Sequence, residues 1–205
     1  INDEFKGLRI NLALNEFRRV HTDLISQLFM GDLKNNTIHD FEIIFRELQK
    51  CIFEYKETDD GDKFYATILQ FGELASSKIL SNYLNSLYLH NMLFDAREFV
   101  LTEGSFKDAK IVMINPYFEK SFLGFNVLIT QGFIACNVYG ENTVVGFDGS
   151  DYSATMFANV LSKNNKVVLK FWKNVRGVFD SDPKQNPNAK FIDKITKEEY
   201  AKISF

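Results

Sequence analysis

The stretch from Ile129 to Asp151, ITQGFIACNVYGENTVVGFDGSD, constrains this chain more than any other. A short apolar strand, Val127-Leu128-Ile129, runs into Thr130-Gln131-Gly132-Phe133. A polar excursion follows, and the chain returns through Gly146-Phe147-Asp148-Gly149-Ser150-Asp151. Tyr152, Met156, Phe157, Val160 and Leu161 then recur at helical spacing, which predicts an amphipathic helix. Glycines flank the turn, Ser150 and Asp151 stand at the helix entrance, and an apolar face is ready to pack on a sheet. Anion and substrate sites of α/β proteins are built this way, because N–H groups at a helix start lack intrahelical acceptors and the helix dipole favours negative charge there. The same pattern also describes an ordinary capped strand–loop–helix connection, and spacing does not choose between the two.

Size and charge narrow the classes. A chain of 205 residues can bury one substantial core. Its net charge of −3 gives no electrostatic footprint for nucleic acid or an anionic membrane surface. No apolar run approaches the ~20 residues that span a bilayer. The opening INDEFKGLRI lacks a signal-peptide apolar segment. Cys51 and Cys136 match no metal or redox spacing, which suits a reducing, cytoplasmic compartment. The 21 phenylalanines are read as core packing.

Upstream of the central stretch the period is helical. Ile10, Leu14, Phe17, Leu24 and Leu28 predict a helix over about residues 3 to 30, with His21 on the same seam. That histidine reads as a ligand or base, or as a packed, hydrogen-bonded core residue; no partner sits at ligand spacing, which favours packing. Gly31 to Thr37 reads as a polar linker, followed by a helix marked by Phe41, Ile44, Phe45, Leu48, Ile52 and Tyr55. The acidic turn from Glu54 to Gly61 lacks the ligand order of an EF-hand. A third helix runs from about Asp62 to Leu87 and carries Gly72-Glu73 in its middle. Short apolar runs at Asn91 to Phe94, Phe99 to Leu101 and Ile111 to Ile114 predict strands, with Asp95-Ala96-Arg97 in a loop or strand end. After the central helix, Lys166 to Trp172 is strongly β-favouring, so strand, helix and strand predict a parallel βαβ unit. Thr196 and Glu199 have capping-box spacing.

Three ordered motifs resemble the aspartokinases of the amino acid kinase superfamily. Thr130 to Ile134 with Gly149 to Ala154 resembles the family signature. Phe71 to Ser76 resembles its Gly-Glu-Leu helix. Trp172 to Phe179 with Ser181 to Lys184 resembles its nucleotide-binding segment. The resemblance implies a three-layer α/β/α sandwich of the amino acid kinase type with a mainly parallel central sheet. It implies a single, incomplete catalytic domain, with residues 1–60 a helical excursion and 61–205 the α/β core. It further implies transfer of the γ-phosphoryl group of ATP, with Mg2+, to the side-chain carboxylate of L-aspartate, and a homodimer. Carried over by position, Ser150 and Asp151 are catalytic, and Glu73, Thr130, Phe147 and Gly149 hold the substrate, Glu73 through its ammonium group. Lys173, Asn174, Phe179, Asp182 and Lys184 line the nucleotide pocket. No side-chain metal site is assigned.

The sequence departs from the family pattern at several of these places. It contains no Lys-Phe-Gly-Gly strand, and it stops before the Gly-Ala-Lys segment and the paired ACT domains. Phe147 stands where relatives have a substrate-clamping arginine, and a phenyl ring cannot make bidentate, charge-assisted bonds. Asp148 adds negative charge beside it, Asn174 replaces an aspartate, and Lys184 an arginine. These changes open an alternative: an impaired relative acting as a nucleotide-binding or subunit-interaction module.

Overall fold

The computed structural model describes residues 3–56, 58–115, 117, 124–146, 148–173, 176–196 and 198–199. The chain divides into two compact units, Ile1–Val168 and Leu169–Phe205.

The first unit opens with three helices, α1 (Asp3–Leu28), α2 (Gly31–Glu54) and α3 (Gly61–Ser86). Their apolar seams meet in one core: Leu14 and Ile25 of α1, Phe41, Phe45 and Leu48 of α2, and Phe71, Ala75 and Ile79 of α3. Asp60 starts α3, its Oδ1 accepting from the N–H groups of Asp62 (2.9 Å) and Lys63 (3.1 Å). The polar stretch from Gly31 to Thr37 is not a linker; it is the first two turns of α2. A solvated helical turn and a linker share one composition, and here the buried Thr37 anchors the segment through Asn82 Nδ2 (3.3 Å). The break between α1 and α2 falls instead at Phe29 and Met30, just before Gly31 with φ at 56°.

Among the described residues six short strands follow: β1 (Asn91–Leu93), β2 (Val100–Gly104), β3 (Ala109–Ile114), β4 (Val127–Ile129), β5 (Ile134–Asn137) and β6 (Asn142–Val144). Strands β1 and β4 pair in parallel, Leu93 opposite Ile129. The other four form a sheet in the order β3-β2-β5-β6, its central β2–β5 pair parallel and its outer pairs antiparallel. The excursion after Phe133, expected to be merely polar, thus contains the β5–β6 hairpin; Ile134, Ala135, Val144 and Val145 are buried. Helix α4 (Gly149–Leu161) lays Met156, Phe157, Val160 and Leu161 on the core built by Val100, Ile111, Ile114, Ile134 and Val144, which Ala66 of α3 also joins.

The predicted strand at Lys166 to Trp172 is absent: residues 166–173 have no strand pairing. Val168 and Trp172 are 72% and 90% exposed, and β propensity acts only where a pleated, half-buried surface is available. The parallel partner of β4 is therefore β1 and not a strand after α4.

In the second unit Phe179 and Phe191 form an antiparallel bridge with their rings edge-on at 5.7 Å. Thr196 and Glu199 exchange the hydrogen bonds of a capping box.

Candidate active site

The site assembles where β4 ends and α4 begins. Gly132 lies so close to the helix that a Cβ added to it would stand 2.8 Å from Ser150 Cα and 3.2 Å from Ser150 Oγ. Gly149 is equally confined: a Cβ there would meet Phe133 Cδ2 at 3.0 Å and Val145 Cβ at 3.2 Å. Only residues without side chains bring the strand end and the helix start this close. Ser153, one turn into α4, ties them together, its Oγ accepting from Phe133 N–H (3.1 Å) and donating to the Gly149 carbonyl (2.8 Å).

Backbone strain is concentrated here. Phe133 (φ 69°) and Asp148 (φ 56°) are two of the three non-glycine residues in the left-handed region among those described. Such conformations cluster where a site needs a fixed, unfavourable turn. Asp148 occupies the N-cap of α4 and makes no side-chain cap hydrogen bond to the helix, while Gly149 N–H donates to the Gly146 carbonyl (3.0 Å). Gly149 is buried, Ser150 exposed and Asp151 half-buried in the first turn.

Gln131 connects this turn to the helical layer. It is 4% exposed; its Oε1 accepts from Ala96 N–H (2.9 Å) and its Nε2 donates to Ser77 Oγ (2.8 Å). Ser77 in turn donates to the Glu73 carbonyl (2.7 Å). A two-step hydrogen-bond path thus runs from the β4 turn to the α3 turn that carries Glu73. Burial pushes the Glu73 carboxyl above its ordinary range, with no other cause acting on it. Next to this path, Asp95 and Arg97 form a bidentate ion pair, and Arg97 Nη1 donates to Gln70 Oε1 (2.6 Å).

Residues 17–205 match the amino acid kinase family. The chain belongs to that family. It is a diverged relative of the aspartokinases: it is 28% identical over 91% of its length to the bifunctional aspartokinase/homoserine dehydrogenase 2 of Escherichia coli, and 28% identical over 78% to the aspartokinase of Chlamydia trachomatis. It spans 23% and 37% of those two proteins. Its fold is that of Escherichia coli aspartokinase III crystallised with aspartate and ADP (R-state), with a TM-score of 0.78 at 22% identity over 91% of this chain and 41% of that one. The three-layer amino acid kinase architecture expected from the motifs is thereby shown.

Of the residues singled out from this member's sequence, Thr130 follows the end of β4, Gly149, Ser150 and Asp151 form the first turn of α4 against Gly132, and the backbone carbonyl of Glu73 is reached from Gln131 through Ser77. Phe147 and Asn174 lie outside the described residues. Lys173, Phe179, Asp182 and Lys184 belong to the second unit. There Phe179 packs on Phe191, while Asp182 holds a turn, its Oδ1 accepting from Lys184 N–H (2.9 Å). Lys173 and Lys184 are exposed.

Gln131 and Ser153 are not among the site residues that the motifs single out. Gln131 stood in plain view in the Thr-Gln-Gly-Phe motif, but nothing in a sequence says that its amide reaches two distant elements. His21 is a packing residue: its ring lies 4.3 Å from that of Phe17 and 5.1 Å from that of Phe41, and its Nδ1 is 2.7 Å from the Phe17 carbonyl oxygen.

Proposed function

We propose that this chain binds ATP and L-aspartate and transfers the γ-phosphoryl group to the aspartate side chain, giving 4-phospho-L-aspartate. One observation carries the reading: the open start of α4 pressed against the β4 turn, with the desolvated Glu73 tied to that turn through Ser77 and Gln131. Phosphoryl transfer asks little covalent work of a protein; it asks that anions be aligned and their charge stabilised. The helix start supplies N–H groups and a positive dipole end. Glu73 supplies an underhydrated carboxylate, which gains most from an ammonium partner. The relative crystallised with aspartate and ADP supports both ligands. In this reading Ser150 contacts the acceptor, Asp151 orients groups around the phosphates, Thr130 and Gly149 shape the acceptor end, and Lys173, Asn174, Phe179, Asp182 and Lys184 take the nucleotide. Residues 1–60 form the helical excursion on the α/β core of 61–205, and the assembly is a homodimer.

Magnesium enters with the triphosphate. Such an ion keeps several waters and takes one or two carboxylates alongside phosphate oxygens. No group of three His, Cys, Asp or Glu side chains suited to a protein-only cage occurs among the described residues. Asp151 is the carboxylate the site offers such an ion, which would screen phosphate charge as it is approached.

A second reading rests on Phe147 and Asp148, which replace a cationic clamp with an aromatic ring and a negative charge. In that reading the chain binds nucleotide or a partner subunit without turnover. Calorimetric titration with Mg-ATP and then L-aspartate, followed by a coupled assay of ADP release, separates the two. Aspartate-dependent ADP formation is the expected result. Nucleotide binding without aspartate binding would move the conclusion to the second reading, and binding of neither would overturn both.

A further inference from the structure

A cleft of about 820 Å3 runs along α3 where the helical layer meets β1 and the Ala96–Glu98 turn. Glu73, Thr130, Gly149, Ser150 and Asp151 do not line it, and of the residues that hold the candidate active site Gln131 does. Its apolar lining comes from Ile43 of α2, Phe71 and Leu74 of α3, Met92 of β1, and Phe99, and polar and charged side chains complete the wall. Its volume lies within the range of about 300–1,000 Å3 that takes a drug-sized molecule.

Two polar side chains give the cleft a direction. Gln70 is 3% exposed. Its Oε1 accepts from Arg97 Nη1, and because a guanidinium only donates, the amide orientation is fixed and Nε2 points elsewhere. Nothing among the described residues accepts from that Nε2. No side-chain nitrogen or oxygen among them is both sealed from solvent and unpartnered, so Gln70 Nε2 is not fully sealed, and Gln70 lines this cleft. Arg97 uses Nε and Nη2 on Asp95 and one Nη1 hydrogen on Gln70. A hydrogen on each terminal nitrogen is left over. The cleft therefore presents hydrogen-bond donors at one place in its wall.

Charge decides what they receive. Glu47, Asp95 and Glu98 line the cleft against Lys78 and Arg97. Arg97 is already paired with Asp95, and Lys78 lies 3.3 Å from Asp40. No uncompensated cation remains to repay the desolvation of an anion.

We propose that this cleft is a second ligand site, for an uncharged, largely apolar small molecule whose single carbonyl-type acceptor takes hydrogen bonds from Gln70 Nε2 and Arg97. The cleft borders the candidate active site at Gln131, and the proposal stands whether or not the chain is a kinase.

The probe is N-benzylacetamide, an aromatic ring with one amide carbonyl, titrated into the full chain and followed by NMR shifts of the cleft residues. Saturable binding is expected, with phenylacetate, an anion of the same ring, binding at least about tenfold more weakly. Ile43→Trp is expected to abolish binding by filling the cleft from a position that is 46% exposed and outside the candidate active site. Gln70→Leu is expected to weaken it about fivefold through the lost hydrogen bond. Saturable shifts that survive Ile43→Trp, a preference for phenylacetate, or no saturable binding to the wild-type chain would each overturn the proposal. Circular dichroism of both variants separates loss of binding from loss of fold.

Discussion

Glu73 carries an ionisable side chain into a partly buried place in the fold. Burial raises its carboxyl above the ordinary carboxylate range, and no partner among the described residues offsets that. When the folded value lies above the unfolded one, the folded state holds the proton more tightly. At pH below both values the group is protonated in either state and contributes nothing. As pH rises through the unfolded value toward the folded one, stability falls, and the full penalty persists above the folded value. Glu73→Gln is therefore expected to stabilise the free chain at neutral pH and to leave it unchanged at pH well below the carboxylate range, as read by chemical denaturation at the two conditions. Under the kinase reading the same substitution abolishes aspartate binding, so stability and function move in opposite directions. The glycines of the site make the complementary case. Gly132→Ala would drive a Cβ against the Ser150 backbone, which cannot swing away as a long side chain could. A loss of about 1–3 kcal/mol is expected on thermal unfolding, the range of overpacked positions. Asp148→Gly should act in the other direction, relieving a left-handed backbone at φ 56° and gaining up to about 1 kcal/mol. An unchanged or lower melting temperature for Asp148→Gly would mean that the turn is not strained.

At the scale of elements, the site is held by connections that cross the chain order. Gln131 bridges the β4 turn to the backbone of Ala96 on one side and to Ser77 of α3 on the other. Gln131→Leu keeps the volume but leaves the buried Ala96 N–H without an acceptor and Ser77 Oγ without its donor. Each unsatisfied buried group costs about 1–3 kcal/mol, so a total of roughly 2–6 kcal/mol is expected in denaturant unfolding. A loss below 1 kcal/mol would mean that water replaces the amide and that Gln131 does not join the layers. Much of this scale was legible beforehand. The three helices, the strands at β1, β2, β3 and β4, and helix α4 follow from periodicity, because each has one face to bury. What escaped was decided by contacts that periodicity does not encode. The start of α2 looks like a linker because its exposed turns are polar. The β5–β6 hairpin was hidden in a stretch read only as polar, although Ile134-Ala135 and Val144-Val145 flank a Tyr-Gly turn. Lys166 to Trp172 has the composition of a strand and no strand beside it. At the candidate site, motif residues could be placed in order, but the closeness of Gly132 to Ser150 and the path through Ser77 are properties of the packed chain.

At the scale of the molecule, both apolar cores draw only on residues between Leu14 and Leu161, within the first unit. The second unit organises around the Phe179–Phe191 pair and the turn held by Asp182. The acceptor-side residues of the proposed kinase fall in the first unit and the nucleotide-side residues in the second. A chain ending at Val168 tests this division. The apolar burial that dominates folding is retained in it, so its cooperative unfolding should persist with a midpoint close to that of the whole chain. The stabilisation by Glu73→Gln at neutral pH should persist as well, since its cause is local burial. Mg-ATP affinity should be lost while L-aspartate affinity remains, both read by calorimetry. A truncated chain that unfolds without cooperativity would show that the second unit is needed to complete the first. One that folds but loses aspartate along with ATP would show that the acceptor end depends on residues beyond Val168, and Glu73 would then be only part of the recognition that the β4–α4 turn provides.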